Sequence, residues 1–320
     1  MKMMNYSEFK EMVKDEILSH LPKEYQDAEI LTDTFYNSNG RYEGMCILRK
    51  GQSAAPILNL KGIYSEYRKT PIRDWILENI AAVLMENDVM SMGLSEMPPY
   101  EKVKDSMFIR LTNLQANKEL LETVPYKQVE DLAVTYHVRV HGDDPSLFYS
   151  FMITNQYMKY YGITPEQLHK DAVSSSMKVL PPTLYDIRDM FMNAGLRSMY
   201  PDTTPMYVLS NELSLNGASA IMYDHVRETA AAVIGGSYYA LPASVNEFIL
   251  VRKEDSPDPR LLFAIVNSVN KETVPENEKL SDSVDFYDAE KHSFSAVLKP
   301  SQAFEKELKN EQAALTADLS

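Results

Sequence analysis

The stretch DLAVTYHVRVHGDD (131–144) decides how this chain is read. Leu132, Val134, Tyr136, Val138 and Val140 alternate with Ala133, Thr135, His137, Arg139 and His141. A period of two with β-branched enrichment predicts a half-buried strand with one polar face. The stretch also gathers the most tempting chemistry in the chain: His137, Arg139, His141 and Asp143. On a strand, His137 and His141 share a face but stand roughly 13 Å apart, at about 3.3 Å per residue. One metal ion, about 2 Å from each ring nitrogen, does not readily bridge that gap. Arg139 between them repels a cation, the valines argue against a helix, and the glutamate of a zinc-protease motif is missing. The four residues are therefore expected to form a polar surface, and no metal or other cofactor is expected. Gly142-Asp143-Asp144-Pro145 reads as a turn.

Outward from this strand, the chain punctuates itself into helices and extended segments. Ser7 is positioned to cap an opening helix whose Phe9, Met12, Val13, Ile17 and Leu21 recur at helical spacing before Pro22. Segments 28–36 and 41–49 read as strands joined by NSNG, a hairpin, with APILNL (55–60) as a third extended piece. Thr70-Pro71 opens a second helix with Ile72, Trp75, Ile76, Ile80, Val83 and Leu84 on its core side. Gly93 and Pro98-Pro99 break the pattern.

Strands then follow at 106–114, 131–141 and 147–153. A helix over 163–179 is announced by a Thr164–Gln167 capping box, and another is expected at 184–194. MYVLSN (206–211) is a strand. Asn216-Gly217 opens either a hairpin turn or a helix through 223, which periodicity leaves open. A helix runs from Asp224 to Gly235-Gly236, then come two strands joined at Pro242-Ala243-Ser244 and a helix near 257–270 with Leu261, Leu262, Ile265 and Val269.

Strands grouped rather than strictly alternating with helices favour α+β over a doubly wound parallel sheet. The expected architecture has mixed or antiparallel sheets with packed helices. The organisation is an N-terminal α+β region (1–90) of helix plus β-hairpin, a loop or linker (91–105), a larger α+β domain (106–300) and a flexible polar tail (301–320).

Composition narrows the function classes. The 320 residues carry 46 acidic and 32 basic side chains, a net charge of −14. That surface repels phosphate backbones and anionic lipid unless basic residues cluster, and RKTPIR (68–73) is short and broken. Cys46 is the sole cysteine, and the first residues lack a signal-peptide core. Apolar runs such as IAAVLM (80–85) are far too short to span a membrane. A cytoplasmic protein is expected.

Cys46 sits in a strand with nothing to lower its pKa. Asp186 and Asp189, one turn apart, read as a solvated helix surface. No serine occupies a nucleophile elbow, and His20, His169, His225 and His292 are scattered. Eighteen methionines, several in 85–97 and 190–206, read as gap-filling core or as an adaptable binding surface.

The ordered pieces PILNLKGIYSEY (56–67), RLTNLQANKELLETVPY (110–126), DLAVTYHV (131–138), ITNQYMKYYGITPEQLHKDA (153–172), GASAIMY (217–223), LPASVNEFILV (241–251) and LSDSVDFYD (280–288) carry a likeness. With them the chain resembles an uncharacterised bacterial family, domain of unknown function 5688. Residues 160–250 also resemble, more loosely, a second uncharacterised bacterial family. The resemblance implies an intracellular bacterial protein and brings no activity, cofactor or catalytic residue. Asn113 and Asn117 fall in the matching set, where backbone capping suits them equally well. The expected function is a non-catalytic cytoplasmic protein that acts by binding another protein. The alternatives are an enzyme, hydrolase-like, with a site assembled only in three dimensions, and a nucleic-acid accessory factor.

Overall fold

Asn5, not Ser7, starts the first helix. In the computed structural model, which describes residues 3–37, 40–51, 55–86, 98–140, 148–189, 205–256 and 258–299, α1 spans Tyr6–Glu16. The Asn5 side chain accepts from the Glu8 N–H at 3.0 Å, and Glu8 accepts from the Asn5 N–H at 2.8 Å. This reciprocal box needs an acceptor side chain three residues after the cap; Asn5 has Glu8 there, whereas Ser7 has Lys10, which can only donate. Phe9, Met12 and Val13 face inward, and Ile17 carries the apolar stripe into a 3-10 turn.

The described residues divide into two compact units: those within 1–103 and 139–150, and those within 104–138 and 151–320. In the first, β1 (Glu29–Asn37) and β2 (Gly40–Leu48) pair antiparallel from Glu29 opposite Leu48 to Asn37 opposite Gly40. β3 is only Leu58–Asn59, because Asn59 caps a helix that the sequence reading missed, α2 (Leu60–Lys69). The Asn59 carboxamide accepts from the Gly62 N–H at 3.0 Å. α3 (Arg73–Glu86) buries Ile76, Leu77, Ile80, Ala81 and Leu84.

That stripe is rotated from the expected one. Ile72, Trp75 and Val83 are exposed, so the sole tryptophan is not core. The core of this unit joins Phe9, Val13 and Ile17 to Met45, Ile47, Leu60, Tyr67 and the α3 stripe. Phe9 sits 5.3 Å from the Tyr64 ring and 5.2 Å from that of Tyr67, within the aromatic pairing range. A four-residue helix, α4 (Tyr100–Val103), lies within the stretch read as a loop.

The second unit carries two sheets. In the smaller one the order is β4 (Met107–Asn113), β6 (Leu132–Val140), β5 (Tyr126–Val129), with β7 (Tyr149–Met152) also paired to β6. β5 and the short α5 (Lys118–Leu121) were not anticipated. β6 is extended as expected, but it is not half-buried: every residue from Leu132 to Val138 is buried. A central strand covered on both faces has no solvent side for its polar residues to occupy.

α6 (Asn155–Tyr161) ends at Gly162 in the left-handed region, φ 64°. α7 (Pro165–Val179) starts on Thr164, whose hydroxyl accepts from the Gln167 N–H at 3.2 Å. Only half of the expected box forms, since the Gln167 side chain donates instead to Asp171. α7 lies along the edge strand β4. Ser175 donates to the Met107 carbonyl at 2.7 Å, and Ser176 accepts from the Ile109 N–H at 2.9 Å. Two serines thus occupy backbone groups that an open edge would offer to another chain.

The larger sheet has six strands in the order β13-β12-β10-β11-β9-β8, all antiparallel. They are β8 (Pro182–Asp186), β9 (Met206–Asn211), β10 (Tyr238–Ser244), β11 (Glu247–Arg252), β12 (Val284–Asp288) and β13 (Ser293–Leu298). The helix expected at 184–194 therefore yields its first residues to β8. Pro242 stands in β10 beyond the part that pairs with β12 (Tyr238 to Ala240), so its missing N–H breaks no bond there.

Residues 217–222 form a 3-10 helix, settling the ambiguity at Asn216-Gly217 against a hairpin. α8 (Asp224–Ile234) closes on left-handed Gly235, φ 87°. α9 (Pro259–Glu272) is capped by Asp258 and packs Leu262 and Val266 against Leu241, Val251 and Val284. The fold class is α+β with antiparallel sheets. Among the described residues no helix is long and apolar enough to cross a membrane.

Candidate functional site

Of His137, Arg139, His141 and Asp143, only the first two are among the described residues. His137 is 2% exposed, stacked 5.4 Å from the Phe108 ring, with Nε2 3.0 Å from the Thr135 hydroxyl. Burial, reinforced by the Arg110 charge, drives its pKa well below the usual histidine value, so it is a neutral core residue. The expected polar surface is thereby corrected at its first member. Arg139 is half-buried, with its guanidinium 5.0 Å from the Phe148 ring centre. His141 and Asp143 lie outside the described residues.

The other candidates resolve one by one. Cys46 is buried, and burial followed by the Glu29 charge pushes its thiol up, away from reactivity. Asp186 ends β8 and grips the Arg188 guanidinium, with Nε 2.9 Å from each carboxylate oxygen. Asn113 accepts from the N–H groups of Gln115 and Ala116 at 3.0 and 2.9 Å, which is backbone capping. Among the described residues no group of three or more His, Cys, Asp or Glu side chains could hold a metal ion.

A cleft of about 580 Å³ in the second unit carries more chemistry than any of these. Its floor is the β5–β6 pair, where Lys127 sits opposite Val134 in register. One wall is α7, which presents His169, Val173 and Met177 at intervals of four, hence on one face. The opposite wall runs from Met222, the end of the 3-10 helix, to Arg227 in the first turn of α8, and Phe294 of β13 also lines the cleft. A second, more open depression of about 510 Å³ lies on the β1–β2 hairpin near Asp33, Arg41, Glu43 and Lys61. Its Glu43 already accepts from Lys10 at 2.5 Å and from the Tyr6 hydroxyl at 2.9 Å.

Within the first cleft, both ring nitrogens of His169 are engaged. Nε2 stands 3.2 Å from Lys127 Nζ, and Nδ1 stands 3.1 Å from the Tyr136 hydroxyl. An ammonium only donates, so Nε2 is the acceptor, and the neutral ring carries its proton on Nδ1 toward Tyr136. Burial, then the Lys127 charge, lowers the His169 pKa from its ordinary 6.5. Burial raises the Tyr136 hydroxyl to about 12, so it remains a phenol. Across the cleft, Arg227 donates to the Ile221 carbonyl at 2.7 Å and pairs with Asp224, while its guanidinium stacks 5.5 Å from Phe294. The arrangement holds a neutral imidazole in a fixed orientation between a cationic donor and a phenol.

A separate buried cluster links two matching motifs. Ser281 donates to Asp131 at 2.5 Å, and Ser283 donates to Asp285 at 3.3 Å. Asp285 is 3% exposed, and burial followed by the Asp131 charge raises its carboxyl to about 7.

Sequence reasoning missed Lys127, Tyr136 and His169 as a group. They lie on three elements, with His169 42 residues from Lys127 and 33 from Tyr136. The one available signal was Tyr136 on the apolar face of a strand, a polar tip in need of a partner.

A family described as "Family of unknown function (DUF5688)" matches residues 6–289. No curated protein matches, and no solved structure does.

Proposed function

The chain belongs to the family of unknown function DUF5688, and from that premise we propose that it is an enzyme with His169 as its acid–base centre. The observation that carries this reading is the doubly bonded imidazole on the wall of the 580 Å³ cleft. A general base needs to be unprotonated at working pH, and the burial and cation that lower the His169 pKa keep it so. Tyr136 fixes the tautomer through Nδ1 and leaves Nε2 as the atom that takes the proton, as an orienting partner does for a catalytic imidazole. Water activated by that nitrogen gives a hydrolytic reaction. This reading takes up the alternative of a hydrolase-like enzyme whose site is assembled only in three dimensions, in place of the expected non-catalytic protein-binding role.

The test is turnover of chromogenic carboxylic esters, phosphate esters and amides by wild type and His169→Gln. The reading requires turnover of one class, lost in the variant while its melting temperature is kept. Equal rates in both proteins, or none in wild type with any class, would count against it.

A second reading, binding to another protein, is favoured by α9. Leu261, Ile265 and Val269 are 53%, 46% and 42% exposed and form one apolar stripe at intervals of four. A partner that co-elutes with wild type and not with Ile265→Lys supports it, and equal retention contradicts it.

A further inference from the structure

We propose that the cleft receives an organic oxyanion, a carboxylate or phosphate head on an apolar body, and that the anion uncovers the His169 base by drawing Lys127 off Nε2. This rests on the acid–base reading of His169 and adds the substrate class and the step that arms the site. Lys127 is the reason for the charge. In this unit Lys279, Lys291 and Lys299 each sit within 2.5–2.9 Å of a carboxylate. Lys127 instead places its ammonium on a neutral ring and makes no ion pair among the described residues. Asp224, the carboxylate lining the cleft, is taken by Arg227. In a chain of net charge −14 the cleft thus has Arg227 and Asp224 paired with each other and Lys127 left as an excess positive charge, beside two histidines. The start of α8, an 11-residue helix with no side-chain cap, adds its positive end to the same wall.

The body of the ligand follows from the remaining lining. Val134, Val173, Met177 and Met222 supply an apolar surface beside the charged one, of the kind that small-molecule clefts use for area while polar groups fix orientation. The arming step follows from hydrogen-bond accounting. While the Lys127 ammonium donates to Nε2, that lone pair is occupied and the imidazole cannot accept a proton from water. An oxyanion is a stronger acceptor for the ammonium than a neutral nitrogen. Once Lys127 turns to it, Nε2 is free, and the charge that adds to burial in lowering the His169 pKa is neutralised. The groups that then face His169 are Tyr136 from β6, Lys127 from β5 and, across the cleft, Tyr223, Asp224, His225 and Arg227 at the start of α8.

The experiment is NMR of the full chain with ¹³C-labelled histidine, with the His169 signal assigned by its loss in His169→Gln. Phenyl phosphate, benzoate, inorganic phosphate and benzyl alcohol are titrated in turn. The two aromatic anions are expected to bind and to raise the His169 pKa by about one unit. Inorganic phosphate should bind at least tenfold more weakly, and benzyl alcohol should cause no pKa change. Lys127→Met should weaken anion binding tenfold or more, and Lys127→Arg should restore part of it. Equal binding of benzyl alcohol and benzoate, undiminished binding by Lys127→Met, or binding without a rise in the His169 pKa would overturn the proposal. His169-dependent turnover of uncharged substrates alone would overturn it while leaving the acid–base reading standing. Lys127-dependent anion binding without His169-dependent turnover would overturn the acid–base reading and the arming step with it, leaving only an oxyanion-binding cleft.

Discussion

Replacing Asp285 with asparagine should remove a pH dependence that the fold carries in its core. Asp285 is buried in β12, opposite Ala296 of β13 and Ala240 of β10, with Ser283 its recorded hydrogen-bond donor and the Asp131 charge nearby. Its carboxyl rises from 3.8 to about 7, chiefly by desolvation. A carboxyl whose folded pKa lies above its unfolded one holds its proton more tightly in the folded state. Stability is therefore full below about pH 4 and is lost as pH climbs toward 7. Three pKa units at about 1.4 kcal/mol each put the whole loss at about 4 kcal/mol. Between pH 5.5 and 8 the share still to be lost is about 2 kcal/mol.

Asparagine keeps the shape and the acceptor for Ser283 but cannot ionise. Its extra N–H group, if left without an acceptor, costs about 1–3 kcal/mol at every pH. The absolute stability of Asp285→Asn is thus less informative than its slope. Urea denaturation of both proteins at pH 5.5, 6.5, 7.5 and 8.5 measures that slope directly. The variant should gain about 2 kcal/mol on wild type across the range. Parallel stability curves would refute the reasoning and mean that the buried carboxyl does not titrate in this window.

Other perturbations test neighbouring parts of the account. Gly217→Ala should destabilise the second unit by about 1–3 kcal/mol or more, since a Cβ there would stand 2.3 Å from the Ser210 hydroxyl and 2.6 Å from the Asn246 carbonyl oxygen; thermal unfolding reads it. Ser176→Ala should cost about 1–3 kcal/mol by leaving the buried Ile109 N–H without its acceptor, and accelerated amide exchange at Ile109 would identify the cause. Cys46 should react with a thiol reagent only slowly at pH 8 and at the unfolded rate in urea; rapid reaction of the native protein would contradict its burial.

The parts of the fold legible in the sequence were those where one local rule operates alone. Thr164-Pro165 and the glycines at 235–236 mark helix ends through backbone geometry that few other residues satisfy. The β1–β2 hairpin and the strand at 132–140 followed from apolar alternation. Errors arose where two rules compete. Ile57, Leu58 and Leu60 read as extended chain, yet Asn59 caps a helix one residue later. On α3 two overlapping apolar stripes are available, and packing against α2 and the 3-10 turn at Ile17 selects the one that leaves Trp75 outside.

The strand that holds His137 was recognised, but its alternation could not reveal that helices and sheet cover both faces. The candidate site was not legible for a further reason. Lys127 lies on a strand of four residues, and His169 is one polar position among many on an amphipathic helix. Only the pairing of β5 with β6 and the packing of α7 above them make the two neighbours.

Titration of His169 by histidine-selective NMR, in wild type and in Lys127→Met without any ligand, tests the central claim most directly. The account predicts that His169 titrates below its ordinary 6.5 in wild type and moves upward when the Lys127 charge is removed. A wild-type His169 that titrates at or above that value, unmoved by the substitution, would contradict it.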